Sequence, residues 1–192
     1  MKKSRSHKRS ISIVFLALVI AIAIIALLQR DEKADTREGP YQVVRVVDGD
    51  TIILMRKGKE ERVRLLRVNT PESVHPDKKQ NTPMGVEASD FTKERLSEKE
   101  VMLEFEGEER DRYDRLLAYV FAGDENFCVT LVKEGFSPYY TAYGFSEEYD
   151  AEFRQAEREA RDAQLGIWST PESTQKYLRL KSKWGQKRSA DE

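Results

Sequence analysis

The sequence predicts an α+β domain that is mainly β, a small barrel of five strands with three helices, and three observations carry that prediction. β-branched runs come early and close together, Gly- and Asp-containing turns separate them, and helical periodicity appears only between and after them. Tyr41–Val47 ("YQVVRVV") and Thr51–Arg56 ("TIILMR") are two such runs joined by "DGD", a hairpin signal. "KGKE" turns the chain again, and "ERVRLLRV" returns as a third strand that stops at "NTPE". Pro71 enforces the stop, because proline cannot donate to a ladder and biases the residue before it to extended geometry. In an extended strand Arg64 and Leu66 share one face and Leu65 and Arg67 the other, so at least one arginine points into the barrel mouth.

A helix is predicted over "PMGVEASDFTKERLSEK", with Met84, Ala88 and Phe91 on one face. "VMLEFE" and "RLLAYVFA" supply the fourth and fifth strands. "NFCVTLVKEG" reads as a short helix capped by Asn126, with Gly135 just past its end. The longest helix is predicted from Ser146 to Gln164, on the stripe Tyr149, Phe153, Ala156, Ala160 and Ala163, with Glu147 and Glu148 in its first turn, where they suit the helix dipole. Leu165, Ile167 and Trp168 around Gly166 are expected to pin its end. From Thr170 onward the chain is polar with scattered basic and aromatic residues, and a loosely held tail is expected. Five strands in this order with interposed helices match the Greek-key barrel of the OB type.

The 192-residue chain is long enough for one domain with a proper core. Residues 1–10 are a basic leader, and Ile11–Leu28 carries no charge over 18 residues. At a helical rise of ~1.5 Å per residue that run just reaches across a bilayer core of ~30 Å. The preceding Lys2, Lys3, Arg5, Lys8 and Arg9 hold the N-terminus in the cytoplasm and leave the domain outside. Three readings are open: an uncleaved transmembrane signal-anchor, a signal peptide that is cleaved to release a secreted domain, and a buried helix of a soluble domain. "ALLQRDEKAD" offers no good small-x-small cleavage site. Residues 29–40 are read as a linker, 41–168 as the domain and 169–192 as the tail. Residues 31–192 hold 27 basic and 34 acidic side chains, a formal −7. Bulk positive charge is therefore excluded as the means of binding a polyanion; local arginines or a bound cation must do it.

Three stretches bear on chemistry. Asp48-Gly49-Asp50-Thr51 is by itself a hairpin turn; Arg64 with Asn69, Thr70 and Glu72 is the second, its Asn-Thr-Pro by itself a turn signal; and "ERDRYDRLLAY", with Asp111, Arg112, Tyr113 and Arg115, is by itself a solvated charge run. Together they supply two arginines, several oxygen donors and a carboxylate, the set that phosphodiester hydrolysis needs. Guanidinium groups fork onto phosphate oxygens as charge grows, and a glutamate can accept or orient the proton of an attacking water. The single cysteine, Cys128, sits beside Leu131 and Val132 at helical spacing as a core residue, which excludes an internal disulfide and a cysteine zinc cage. His75 is the only histidine outside the leader, so zinc chemistry is excluded as well.

"VVDGDTIILMRKGKEERVRLLRVNTPESVHP", "EASDFTK", "RDRYDRLLAYVFA", "LVKEGF" and "GIWS" resemble the staphylococcal nuclease (thermonuclease) family in order and spacing, over about Tyr41 to Trp168. The resemblance implies an OB barrel with three helices that hydrolyses DNA and RNA with one calcium ion and leaves 3′-phosphate ends. It implies Arg64, Glu72 and Arg115 as catalytic residues, and Asp50, Asn69 and the Thr70 carbonyl as calcium ligands. Arg112, Tyr113, Tyr143, Lys78 and Lys79 then belong to the substrate site of a monomer. Four positions depart from the family pattern. Asn69 replaces a carboxylate ligand, Asp114 and Leu116 replace glycines around the second arginine, and Thr141 replaces a pocket tyrosine. A non-catalytic OB module that binds nucleic acid is the rival reading; it predicts loss of the Arg-Glu-Arg set, which is intact. A calcium-dependent structural module outside the cell is the third, marked by calcium binding with no effect on nucleic acid.

Overall fold

The computed structural model describes residues 37–73 and 81–191, with side chains as far as residue 184. The leader, the apolar run Ile11–Leu28, most of the linker, and Lys78 and Lys79 lie outside the described residues. The chain divides into two units, Met1–Glu38 and Gly39–Glu192, and only the last two residues of the first are described. No helix among the described residues is long and apolar enough to cross a membrane.

The strands are β1 (Glu38–Asp48), β2 (Thr51–Arg56), β3 (Lys59–Leu65), β4 (Glu100–Arg110), β5 (Leu116–Ala122) and a two-residue β6 (Glu125–Asn126). The helices are α1 (Pro83–Leu96), α2 (Phe127–Lys133), α3 (Asp150–Asp162) and α4 (Pro171–Asp191), with a 3-10 turn at Gly166–Trp168. The sheet order is β3-β2-β1-β4-β5-β6, and an additional β3–β5 pairing closes the first five strands into the expected OB-type barrel. That closing pair is parallel, Val63 opposite Leu116 and Arg64 opposite Leu117, while the neighbouring pairs are antiparallel. Lys57 and Gly58 both adopt positive φ (51° and 77°) in the β2–β3 hairpin, the conformation a two-residue primed turn demands.

The core fills the barrel with Ile52, Leu54, Val63, Leu65, Leu103, Leu116 and Val120, all within 1% of full burial. Each such side chain contributes about 1.5–3 kcal/mol relative to exposure. α2 begins at the Asn126 cap, whose Oδ1 accepts from the Cys128 and Val129 amides at 3.1 and 3.4 Å. Cys128 is fully buried, and burial pushes its thiol pKa up to about 12, so it is the core residue its spacing predicted.

Four expectations are corrected. β3 ends at Leu65, and Arg67 lies beyond it in the left-handed region (φ 61°), so strand alternation does not place Arg67. α3 begins at Asp150, not Ser146, because the Ser146 and Tyr149 amides are taken by Tyr139 and Ser146 hydroxyls (2.7 and 2.9 Å); Asp150 and Glu152 provide the acidic first turn instead. The stripe Tyr149, Phe153, Ala156 and Ala160 is buried as expected, while Ala163 is exposed. The tail is helical: α4 buries Tyr177 against Ala160, Ile167 and Trp168.

Candidate active site

Asp50 is buried in the β1–β2 turn, and each neighbour of that turn is close enough to define it. Its Oδ2 accepts from the Thr70 amide at 2.8 Å and its Oδ1 from the Thr51 hydroxyl at 3.2 Å. Thr92 of α1 donates its hydroxyl to the Gly49 carbonyl at 2.8 Å. A Cβ on Gly49 would lie 2.8 Å from Thr70 Oγ1 and 2.9 Å from the Ala88 Cβ, so only glycine lets this turn press against both. Asp48 Oδ1 accepts from the Asp50 amide at 3.1 Å. Burial, then the neighbouring Asp50 charge, push the Asp48 pKa up to about 6.

Arg64 reaches this turn because β2 and β3 pair Thr51 directly with Arg64. Its Nη2 meets Asp50 Oδ2 at 3.0 Å and donates to Asn69 Oδ1 at 3.0 Å. Its Nη1 donates to the Leu65 and Val68 carbonyls at 3.1 and 3.0 Å, so the plane of the fork is fixed from behind. Asn69 is in turn anchored by its amide, which donates to Ser137 Oγ at 2.7 Å. Asp50, Arg64, Asn69 and Thr70 thus form one contiguous cluster.

Glu72 is exposed two residues further on, and its backbone is held by the start of α1. The Thr82 amide donates to the Glu72 carbonyl at 3.0 Å, and Thr82 caps α1 by accepting from the Gly85 amide at 3.0 Å. A Cβ on Gly85 would sit 2.1 Å from that same Glu72 carbonyl oxygen and 2.8 Å from the Pro71 oxygen. The first turn of the helix therefore rests directly on the Pro71–Glu72 backbone.

Arg115 ends the β4–β5 loop. Asp111 organises it: Oδ1 accepts from the Tyr113 and Arg115 amides (2.9 and 3.0 Å), and Oδ2 from Arg115 Nε at 2.8 Å. Burial opposes its ionisation, but these bonds win and hold the Asp111 carboxyl below its usual range. Asp114 adopts φ 61° in this loop, a conformation Asp tolerates better than most side chains, which explains how it stands where the family has glycine. Leu116 is simply the first core residue of β5. The exposed Tyr113 ring lies under both arginines, 4.8 Å from the Arg112 guanidinium carbon and 5.5 Å from that of Arg115. Because β3 and β5 are parallel neighbours, Arg64 and Arg115 come to the same end of the barrel.

Tyr143, 76% exposed, belongs to a loop tied down by Arg67. Arg67 Nη1 donates to the Tyr143 and Gly144 carbonyls at 3.1 and 3.0 Å, and its other nitrogens pair with Glu106. Glu106 Oε2 also accepts from the Tyr119 hydroxyl at 3.0 Å and the Glu147 amide at 3.0 Å. Despite burial, which alone raises it, these donors hold the Glu106 carboxyl below its ordinary value. Tyr139 is 1% exposed, so it is a structural residue of this network and not a pocket wall.

The structure brings Asp50, Arg64, Asn69 and Thr70 into contact, leaves Glu72 exposed two residues beyond Thr70 with its backbone against α1, and places Arg112, Tyr113 and Arg115 on the β4–β5 loop. Among the described residues no group of three or more His, Cys, Asp or Glu side chains is placed to hold an ion. The donors available are the Asp50 carboxylate, the Asn69 amide oxygen and the Thr70 carbonyl, a hard-oxygen set suited to calcium or magnesium and unsuited to zinc. Sequence reasoning did not single out Gly49, Gly85, Thr92, Asp111 as a brace, or the Arg67–Glu106 pair. Asp111 was legible from its spacing of four to Arg115; the others depend on contacts between remote segments.

A family model described as "Staphylococcal nuclease homologue" matches residues 62–170. That stretch includes Arg64, Asn69, Thr70, Glu72, Arg112, Tyr113, Arg115 and Tyr143, and excludes Asp50 and α4. The chain is 43% identical over 163 residues to a thermonuclease of Staphylococcus intermedius, covering 79% of this chain and 94% of that protein. It is 42% identical over 139 residues to the thermonuclease of Staphylococcus hyicus (71% and 79% covered). To endonuclease YncB of Bacillus subtilis it is 38% identical over 149 residues (73% and 70% covered).

Proposed function

The chain belongs to the staphylococcal nuclease family and is a nuclease hydrolase; from that premise we propose that it is a calcium-dependent endonuclease acting on DNA or RNA outside the cytoplasmic membrane. The observation that carries the finer reading is the Asp50–Arg64–Asn69 contact, with Glu72 three residues after Asn69 in the chain and Arg115 at the same barrel end.

Asp50, Asn69 and the Thr70 carbonyl would hold the calcium ion. When bound, the ion neutralises phosphate charge and lowers the cost of making hydroxide from water. Arg64 exchanges the partners of its Nη2, the Asp50 carboxylate and Asn69 amide, for phosphate oxygens. Its Nη1 bonds to the Leu65 and Val68 carbonyls keep the fork in plane during that exchange. Arg115, oriented by Asp111, offers the second guanidinium as charge accumulates on the phosphoryl oxygens. Glu72 takes a proton from, or orients, the attacking water. The new P–O bond forms as the P–O5′ bond breaks; the departing 5′ oxygen takes its proton from solvent, and the phosphate stays on the 3′ side. Asn69 supplies one negative charge fewer than the carboxylate of other members, so weaker calcium binding and looser metal choice are expected.

The apolar run Ile11–Leu28 and the basic leader support a single-pass anchor with the domain 41–168 outside, or secretion after cleavage. The test is cleavage of single-stranded DNA by the purified chain with calcium, with magnesium and with chelator, beside Glu72→Gln. Calcium-dependent cutting that Glu72→Gln abolishes supports the reading. Retention of DNA without cutting under every metal would make the chain the non-catalytic binding module.

A further inference from the structure

We propose that Trp184, carried by α4, completes a wall on which an unpaired base of the substrate stacks beside the catalytic cluster, which makes the C-terminal helix part of the substrate site. The proposal rests on the nuclease reading above and assigns a substrate contact to a helix outside the stretch that the family model matches.

α4 is docked by three residues on one face. Tyr177 is 7% exposed against Ala160, Ile167 and Trp168, and Leu180 packs on the same cluster. Lys181 donates to both Glu157 oxygens at 2.6 and 2.5 Å, and burial lowers the pKa of this ammonium group. Trp184 follows Tyr177, Leu180 and Lys181 at spacings of seven, four and three, so it continues their face by one further turn. There it meets Tyr140 in a T-shaped pair, ring centroids 4.7 Å apart at 89°, and Tyr140 meets Tyr143 at 5.9 Å and 74°.

This aromatic row adjoins the catalytic strand end. The Tyr140 amide donates to the Arg67 carbonyl at 2.8 Å, Ser137 holds the Asn69 amide, and Arg67 holds the Tyr143 carbonyl. Burial raises the Tyr140 hydroxyl pKa, and Arg64 and Asp50 are among the charges that act on it. Trp184 is not needed to dock α4, since Tyr177, Leu180 and Lys181 already do so, and its indole keeps part of its surface in solvent. A T-shaped pair covers one face of one ring and not the remaining faces, and a base stacks on such faces whatever its identity. Only an unpaired base can present its own face, so the row favours single strands over duplex.

The test uses the full chain in detergent. In chelator, a short oligothymidylate is titrated against intrinsic fluorescence; the other tryptophan, Trp168, is 2% exposed and shielded. Quenching in the wild type that disappears in Trp184→Phe is expected. With calcium, Trp184→Ala should raise KM for single-stranded DNA about tenfold with kcat within about twofold, the loss of one stacked base. Trp184→Phe should restore most of the KM. Equal quenching in wild type and Trp184→Phe would overturn the proposal. So would an unchanged KM in a Trp184→Ala protein of wild-type melting temperature, or a loss confined to kcat and melting temperature. A wild type that cuts nothing would defeat the nuclease reading instead, and the quenching arm would still decide whether Trp184 touches the base.

Discussion

Replacing Gly85 with Ala should disable catalysis while leaving the fold nearly intact. The added Cβ would lie 2.1 Å from the Glu72 carbonyl oxygen, 1.3 Å short of the 3.4 Å at which ordinary contact begins. The obstacle is backbone, so no side-chain rotation relieves it. Either the first turn of α1 or the Pro71–Glu72 segment must give way by about an ångström. α1 is held by Thr92 on Gly49 and by the buried Ala88 and Leu96, whereas Glu72 is exposed, so Glu72 moves. A displacement of about 1 Å at a catalytic group costs on the order of 100-fold in rate. Stability loses about 1–3 kcal/mol to overpacking and recovers about 1 kcal/mol from helix propensity. The assay is kcat on single-stranded DNA with calcium, with urea unfolding on the same preparations. A folded Gly85→Ala enzyme with kcat within about twofold of wild type would refute the argument that α1 sets the position of Glu72.

Restoring a carboxylate with Asn69→Asp should tighten calcium binding roughly tenfold by adding ligand charge; isothermal titration checks it, and unchanged or weaker binding would count against Asn69 as a ligand. Glu106→Gln removes the charge that pairs with Arg67, whose side chain is 13% exposed against 11% for Glu106, and should cost about 3 kcal/mol in urea unfolding. Because the folded Glu106 carboxyl titrates below its ordinary 4.5, its stabilisation is present above that pH and is lost as pH falls through the lower folded value. The wild type should therefore lose its stability advantage over Glu106→Gln in acid, and a gap that stays constant from pH 7 down to pH 3 would remove Glu106 as its cause.

Local chemistry made much of the fold legible. The β2 boundaries, the Asn126 cap, the core place of Cys128 and the apolar stripe of α3 follow from a β-branched run between turn signals, side-chain capping and helical spacing, each a property of a few neighbouring residues. The misreadings have a common origin in contacts between remote segments. α3 starts late because Tyr139 and Ser146 claim amides that would otherwise open the helix. Arg67 leaves the strand because its guanidinium is drawn to Glu106, 39 positions away. The tail is ordered because Glu157 and the Trp168 cluster wait for Lys181 and Tyr177, and no periodicity in a polar segment announces a partner on another helix.

The candidate site divides the same way. The sequence alone determined which chemical groups are present and their local order: a carboxylate after a Gly turn, an arginine on a strand, and Asn-Thr-Pro-Glu downstream of it, although the strand itself stops earlier, at Leu65. It also determined the acidic balance that leaves attraction of a polyanion to a few arginines and a cation. Only the tertiary structure decided that Thr51 faces Arg64 and that parallel closure of β3 on β5 carries Arg115 to the same rim. It likewise decided that two glycines let α1 seat the Asp50 turn and the Glu72 backbone. Ladder register and backbone-to-backbone packing are properties of pairs of segments, and no single stretch of chain encodes them.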